Sequence, residues 1–357
     1  MNRSVLIIGN FLSGAENSRG VCEGLAERLA GNGWRVLTAS HKRPRLLRLA
    51  DMILTTLRHR QQYSVAQIDV FSGPAFFWAE AVGWTLRRLG KPFVLTLHGG
   101  NLPQFAARWP GRVSRLLASA DAVTAPSRYL KEGLEEHRAD IRVTPNPIDL
   151  NLYPYREHQT AGPRLMWLRA FHEIYNPSMA VKVVAALMER FPEVQLTMVG
   201  PDKHDGSLER SRTELRNLGV NGRIRFLGQV PKKDVPRVLS EADIFLNTSN
   251  VDNAPVSLIE AMACGLCIVS TNVGGITYLC KHGSDALLVA PNDAQGMVLA
   301  VTRILLDPVL SAGLSRNARA KAEQFGWLEV LPEWDRLLTT TASNHRASRA
   351  EQKPTHE

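Results

Sequence analysis

Short apolar, β-rich runs alternate with helix-period segments along nearly all of this 357-residue chain, which restricts it to parallel sheets flanked by helices. Parallel strands need long crossover connections, and each helical segment is placed to supply one. In the first half, strands are expected at Val5–Ile8, Arg35–Ala39, Ala66–Val70, Phe93–Leu97, Ala122–Ala125 and Ile141–Thr144. Helices are expected near Arg19–Ala30, Pro44–Arg60, Ala75–Leu89, Arg112–Ser119 and Ser127–Glu136. A second series follows, with strands at Leu165–Leu168, Gln195–Val199, Ile224–Leu227, Ile244–Asn247, Cys267–Ser270 and Ala286–Val289. Its helices are expected over Pro177–Phe191, Ser207–Leu218, Lys232–Glu241, Pro255–Cys264 and Asp293–Leu306. The fold class is α/β, with two Rossmann-like domains.

The length allows each domain its own core. We expect a first domain over 1–150, a linker over 151–163 in a stretch marked by Pro154, Gly162 and Pro163, and a second domain over 164–325. Residues 342–357 are polar and aperiodic, the pattern of a disordered tail. No apolar run approaches the ~18–20 residues that span a bilayer, and the N-terminus lacks a signal-peptide pattern, so a cytoplasmic protein is expected.

Residues 1–155 hold 20 Lys and Arg against 12 Asp and Glu, so the first half carries nearly all of the formal charge of +9. Much of it lies in 42–60. As a helix from Pro44 this segment is basic and amphipathic, which fits two settings: an anionic membrane surface, or the water-facing side of a core helix. No nucleic-acid motif accompanies the charge, so nucleic acid is not an expected partner. Cys264 and Cys267, with Cys280 and His282 downstream, superficially suit zinc. However, Cys264 closes a helix and Cys267 opens an apolar strand, so both read as small core residues and no metal is expected.

The segment from Thr248 to Gly265 carries the chemistry. Pro255 suits the first turn of a helix, whose free N–H groups and positive dipole end would face whatever lies beside Asp252, a ready place for a diphosphate. Glu260 falls about one and a half turns in, among Leu258, Ile259 and Met262. A carboxylate there is costly unless it accepts hydrogen bonds, and two vicinal ribose hydroxyls would supply them. The loop after the first strand, from Gly9 to Gly20, lacks the G-x-G-x-x-G fingerprint of a dinucleotide oxidoreductase.

Two acids eight positions apart, followed by Ala261-Met262-Ala263-Cys264-Gly265, resemble the retaining glycosyltransferases of family 4, the glycosyl transferases group 1. The resemblance implies GT-B architecture, two Rossmann-like domains whose parallel sheets face a central cleft. It places Asp252 at the donor sugar, although glutamate is usual there, and Glu260 at the ribose. The helix start around Ala254 and Val256 falls to the diphosphate, and Gly200, Gln229 and Val230 to the nucleobase. Thr96-Leu97-His98-Gly99 matches a motif whose histidine lies near the reaction centre, and Asn146 would face the cleft. Ser13 and Gly14 would lie near the phosphates and acceptor. Segment 326–341 is similar to a closing helix that returns to the first domain.

Arg169 matches an arginine that grips the diphosphate, but the lysine expected about five residues later is missing, and Tyr175 or Asn176 stands in its place. Lys203, Lys232 and Lys233 are candidate substitutes. The resemblance implies a retaining, hexosyltransferase-type enzyme moving a sugar from a nucleotide-diphosphate-sugar to a hydroxyl, with no cofactor or metal. The acceptor expected is a lipid-linked or cell-surface glycan of bacterial polysaccharide biosynthesis, reached from the inner face of the membrane. The missing lysine keeps a second reading open, a non-catalytic nucleotide-sugar-binding or assembly subunit of the same fold.

Overall fold

The computed structural model describes residues 3–12 and 20–351. The chain divides into two compact units: residues up to Asn146 together with those from Leu328 onward, and Pro147–Trp327.

The first unit holds β1 (Ser4–Ile8), β2 (Arg35–Ala39), β3 (Val65–Val70), β4 (Phe93–Leu97), β5 (Ala122–Ala125) and β6 (Arg142–Val143), in the order β2-β1-β3-β4-β5-β6. All pairs are parallel, with Val5 opposite Val36 and Val65, and Leu95 opposite Ile68 and Val123. β1 and β4 are buried at every position because helices cover both faces of the sheet. These are α1 (Val21–Gly31), α2 (Arg45–Arg58), α3 (Phe76–Arg88), α4 (Leu102–Arg108), α5 (Pro110–Ser119) and α6 (Arg128–Glu132). α4 was not expected, and α6 is shorter than expected, although Ser127 caps it through Leu130 N at 3.3 Å.

The second unit holds β7 (Arg164–Leu168), β8 (Gln195–Val199), β9 (Ile224–Gly228), β10 (Ile244–Asn247), β11 (Cys267–Thr271) and β12 (Leu287–Val289), in the order β12-β11-β10-β7-β8-β9. Its helices are α7 (Pro177–Met188), α8 (Ser207–Asn217), α9 (Val235–Ser240), α10 (Val256–Ala263), α11 (Ile276–Leu279), α12 (Ala294–Leu306) and α13 (Pro308–Glu323). Successive strands run out from β7 to one side and then restart on the other, so the loops after β7 and β10 part and leave a crevice at the carboxyl edge. The corresponding reversal in the first unit lies between β1 and β3.

Two expectations are corrected. Segment 151–163 is packed into the second unit rather than linking two domains, for Tyr153, His158 and Ala161 are buried. Its anchor is Asp243, buried at the start of β10, which accepts from Arg156 at 2.7 Å and Arg164 at 2.6 Å and lies 3.0 Å from His158. Burial acts to raise the Asp243 carboxyl, but the bonds from His158 and Arg164 outweigh it and hold it at about 2. The second correction concerns the tail. The last helix, α14 (Trp327–Glu351), runs well past the expected end at 341. It is tied to the first unit by Trp34 Nε1 donating to Asp335 at 2.8 Å and by buried Trp334 and Leu338. Its far end is fixed by His345, 3.1 Å from Asp121 and 3.0 Å from the Gly90 carbonyl. Among the described residues no single helix is long and apolar enough to cross a membrane.

Candidate active site

Arg169 follows β7 directly, and its placement depends on a neighbour without a side chain. Gly200, just past β8, has φ +151°, and a Cβ there would sit 1.8 Å from the Arg169 carbonyl. The Arg169 guanidinium pairs with the Asp252 carboxylate and lies 4.1 Å over the Tyr175 ring. Its Nε is buried and has no partner among the described residues.

Asp252 is held from several sides. Ser249 Oγ lies 3.0 Å from it, and Asn253 N donates to it at 3.0 Å. The loop that carries it is fixed by Thr271 Oγ1 donating to the Ser249 carbonyl at 2.6 Å and by Thr248, which links Trp167 to the Tyr175 carbonyl. Gly274, φ +50°, allows the close approach of the next loop, since a Cβ there would lie 2.1 Å from the Asp252 carbonyl.

Pro255 is the N-cap residue of α10 rather than its first helical residue, and Val256 opens the helix. Ser257 Oγ, in that first turn, is buried without a partner among the described residues. Glu260 is 2% exposed and accepts from Tyr153 Oη at 2.6 Å and from Lys232. Burial, and then the adjoining Glu260 carboxylate, push the Tyr153 phenol far above its ordinary range, so it stays a donor. Ala254 precedes the helix, while Gln229 and Val230 follow β9, so the parallel topology brings these positions to one sheet edge with Arg169 and Gly200. Asn176 adopts φ +46° and donates its amide to Asn292 at 2.8 Å. Neither it nor Tyr175 supplies the missing cation.

In the first unit His98 follows β4, 8% exposed, with Nε2 3.0 Å from Asp69 Oδ1. Phe71 stacks on the imidazole at 4.9 Å, and Gln67 donates to the same Asp69 oxygen at 2.8 Å. Gly9, after β1, presses on this carboxylate, for a Cβ there would come within 2.5 Å of Asp69 Oδ2. His98 and Asp69 thus stand beside the β1/β3 reversal. Asn146 is half-buried beyond β6. Ser13 and Gly14 lie outside the described residues.

Sequence reasoning missed Tyr153, set in a stretch that reads as a linker, and Asp69, an acid inside a strand. Lys232 stood only among three candidates. Burial pushes the Cys264 thiol up to about 12 and Cys267 to about 11, in keeping with neutral core residues. Among the described residues no cluster of three or more His, Cys, Asp or Glu could hold a metal.

The chemistry of the second unit is specific. A guanidinium and open helix N–H groups suit an anion, and a buried carboxylate that accepts hydrogen bonds suits a diol. Comparison with known proteins agrees. Residues 162–321 match the family described as Glycosyl transferases group 1, and residues 20–152 match Glycosyltransferase Family 4. A D-inositol 3-phosphate glycosyltransferase of Corynebacterium jeikeium is 26% identical over 283 residues, 70% of this chain and 68% of that protein. The protein of that name from Acidothermus cellulolyticus is 26% identical over 275 residues, 70% of this chain and 60% of its own length. Among solved structures, sucrose-phosphate synthase from Thermosynechococcus elongatus superposes with TM-score 0.78 at 20% identity, covering 96% of this chain and 100% of that one. Anabaena HepE in complex with UDP and glucose superposes with TM-score 0.74 at 18% identity, covering 95% and 100%. The chain therefore belongs to the family 4, group 1 glycosyltransferases, and its two units are those of the GT-B fold.

Proposed function

We propose that this protein transfers a hexose from a nucleotide-diphosphate-sugar to a hydroxyl acceptor with retention of anomeric configuration. The observation that carries this is the Arg169–Asp252 pair at the β7/β10 reversal, where Arg169 Nε and Ser257 Oγ both lack partners among the described residues. A buried donor left unpaired costs about 1–3 kcal/mol, and a diphosphate on the first turn of α10 would satisfy both. The ribose diol would take Glu260, releasing the ammonium of Lys232. That cation would then be free to replace the absent lysine, which favours transfer over mere binding.

In the step itself, the bond from the anomeric carbon to the leaving phosphate breaks as the acceptor oxygen bonds to the same face. The acceptor proton passes to the phosphate, whose charge Arg169 stabilises. Asp252 would orient the donor sugar, His98 would act beside the reacting carbon, and no metal is invoked. HepE was solved with UDP, which makes UDP-sugars the first donors to try. For the acceptor we propose a lipid-linked or cell-surface glycan, met by a peripheral protein whose basic segment 42–60 faces anionic lipid.

A thermal-shift series with UDP, GDP, ADP and their sugar conjugates tests the donor. One base should stabilise the protein by mass action. If none does, the assembly-subunit reading, without nucleotide binding, replaces this one.

A further inference from the structure

α2 turns four of its leucines toward water. It buries Arg48 and Thr56 along with Met52, while Leu46 is 83% exposed, Leu54 63%, and Leu47 and Leu57 also face water. Arg48 is kept inside by the carbonyls of Lys42 and Arg43 and by Asn10 Oδ1, at 2.8–2.9 Å. The outer face is therefore leucine, not the polar covering of an ordinary core helix, and isolated exposed apolar residues do not form such stripes.

The stripe does not end with α2. The crossovers β2 to β3, β3 to β4 and β4 to β5 all move the same way across the sheet, so right-handedness puts α2, α3 and α5 on one face. α2 packs on α3, and α3 on α5. α3 exposes Phe77 and Trp84, and Trp109 is exposed where α5 begins. Trp84 lies 5.1 Å from the Arg88 guanidinium, and Trp109 lies 5.9 Å from that of Arg108.

The charges around these apolar residues are mostly positive. Lys42, Arg43, Arg45, Arg58 and Arg60 are exposed around α2, and Arg87 and Arg88 at the end of α3. On these helices the acids are Asp51 and Glu80, and Glu80 is neutralised by Arg112.

We propose that the outer faces of α2 and α3, with Trp109, form one surface that docks on an anionic phospholipid bilayer, leucines and aromatics entering the interface while arginines meet headgroup phosphates. This deepens the membrane part of the proposed function and rests on that reading only for the acceptor's location. A second copy of the chain fits less well, because a twofold contact through this face would set its basic rims against each other. Tryptophan flanked by arginine suits the headgroup level, and basic residues near an anionic leaflet add attraction that salt screens.

The test is co-sedimentation of the full chain with vesicles of phosphatidylcholine alone or mixed with phosphatidylglycerol. The wild type should bind the mixed vesicles and release in high salt. Leu46→Ser/Leu54→Ser/Trp84→Ser should weaken partition by about tenfold or more, and Arg43→Glu/Arg45→Glu/Arg58→Glu should do the same through charge alone. Leu299→Ser/Val309→Ser, on exposed residues of the second unit, should change nothing. Absence of binding, or unaltered binding by both first variants, overturns the proposal. So does a concentration-dependent dimer that the serine variant dissolves. Nucleotide thermal shifts run on the same samples separate the two readings, since their loss would sink the donor assignment and leave vesicle binding untouched.

Discussion

The two units place their candidate site groups at the same topological position and equip it differently. At the β7/β10 reversal the second unit sets two ion pairs, Arg169 with Asp252 and Lys232 with Glu260, beside an open helix start. At the β1/β3 reversal the first unit offers an imidazole against one carboxylate, braced by Gln67 and Phe71. Topology fixes where a ligand can reach in both. Side-chain chemistry makes one a grip of fixed charges and the other a single polarisable tip. In the proposed reaction the first suits a diphosphate and the second a sugar in transit.

The sharpest way to break this contrast is to remove a charge from the grip. Arg169→Met should leave Asp252 buried without its counter-ion, costing about 3–5 kcal/mol, and should abolish the nucleotide thermal shift. Glu260→Ala should also eliminate that shift, and unchanged nucleotide affinity would remove Glu260 from the site. Gly200→Ala should follow, lowering the melting temperature by several degrees, about 2 kcal/mol or more, because the added carbon meets the Arg169 carbonyl. His98→Gln or Asp69→Asn should lower kcat about 10²-fold while leaving nucleotide affinity as it was. If nucleotide affinity falls instead, the division of labour between the units is wrong.

The smallest effect concerns the amino edge of the second sheet. Asp243 is held near 2 when folded, below the ordinary carboxylate value of about 4. Its contribution is thus complete above about pH 4 and is lost as pH falls toward 2. Thermal melts through that window should show the decline, and Asp243→Asn should flatten it.

Much of the second unit's candidate site was legible because its signals are local. Asp252, Pro255 and Glu260 lie within one loop and helix, where spacing alone sets their relation, and Arg169 marks a strand end. Asp69 was not legible, since a carboxylate within β3 declares its role only through His98, 29 residues away. Tyr153 sits among prolines that signal a connection, and only the fold carries it to Glu260, 107 residues on. The strands followed their apolar runs closely. α13 and the end of α14 are Ser-, Ala- and Arg-rich and carry weak periodicity, so tertiary anchors such as His345 on Asp121 decide their structure. Which side of α2 faces water stood open in sequence, because burial, not pattern, shows it.

The return of α14 has a consequence for how the protein is made. During synthesis domains close as they emerge, yet the first unit stays incomplete until α14 leaves the ribosome, long after its own sheet has been translated. Trp34 must wait some three hundred residues for Asp335. The second unit, contiguous from Pro147 to Trp327, can close first, so the half translated earlier is the half that finishes folding later.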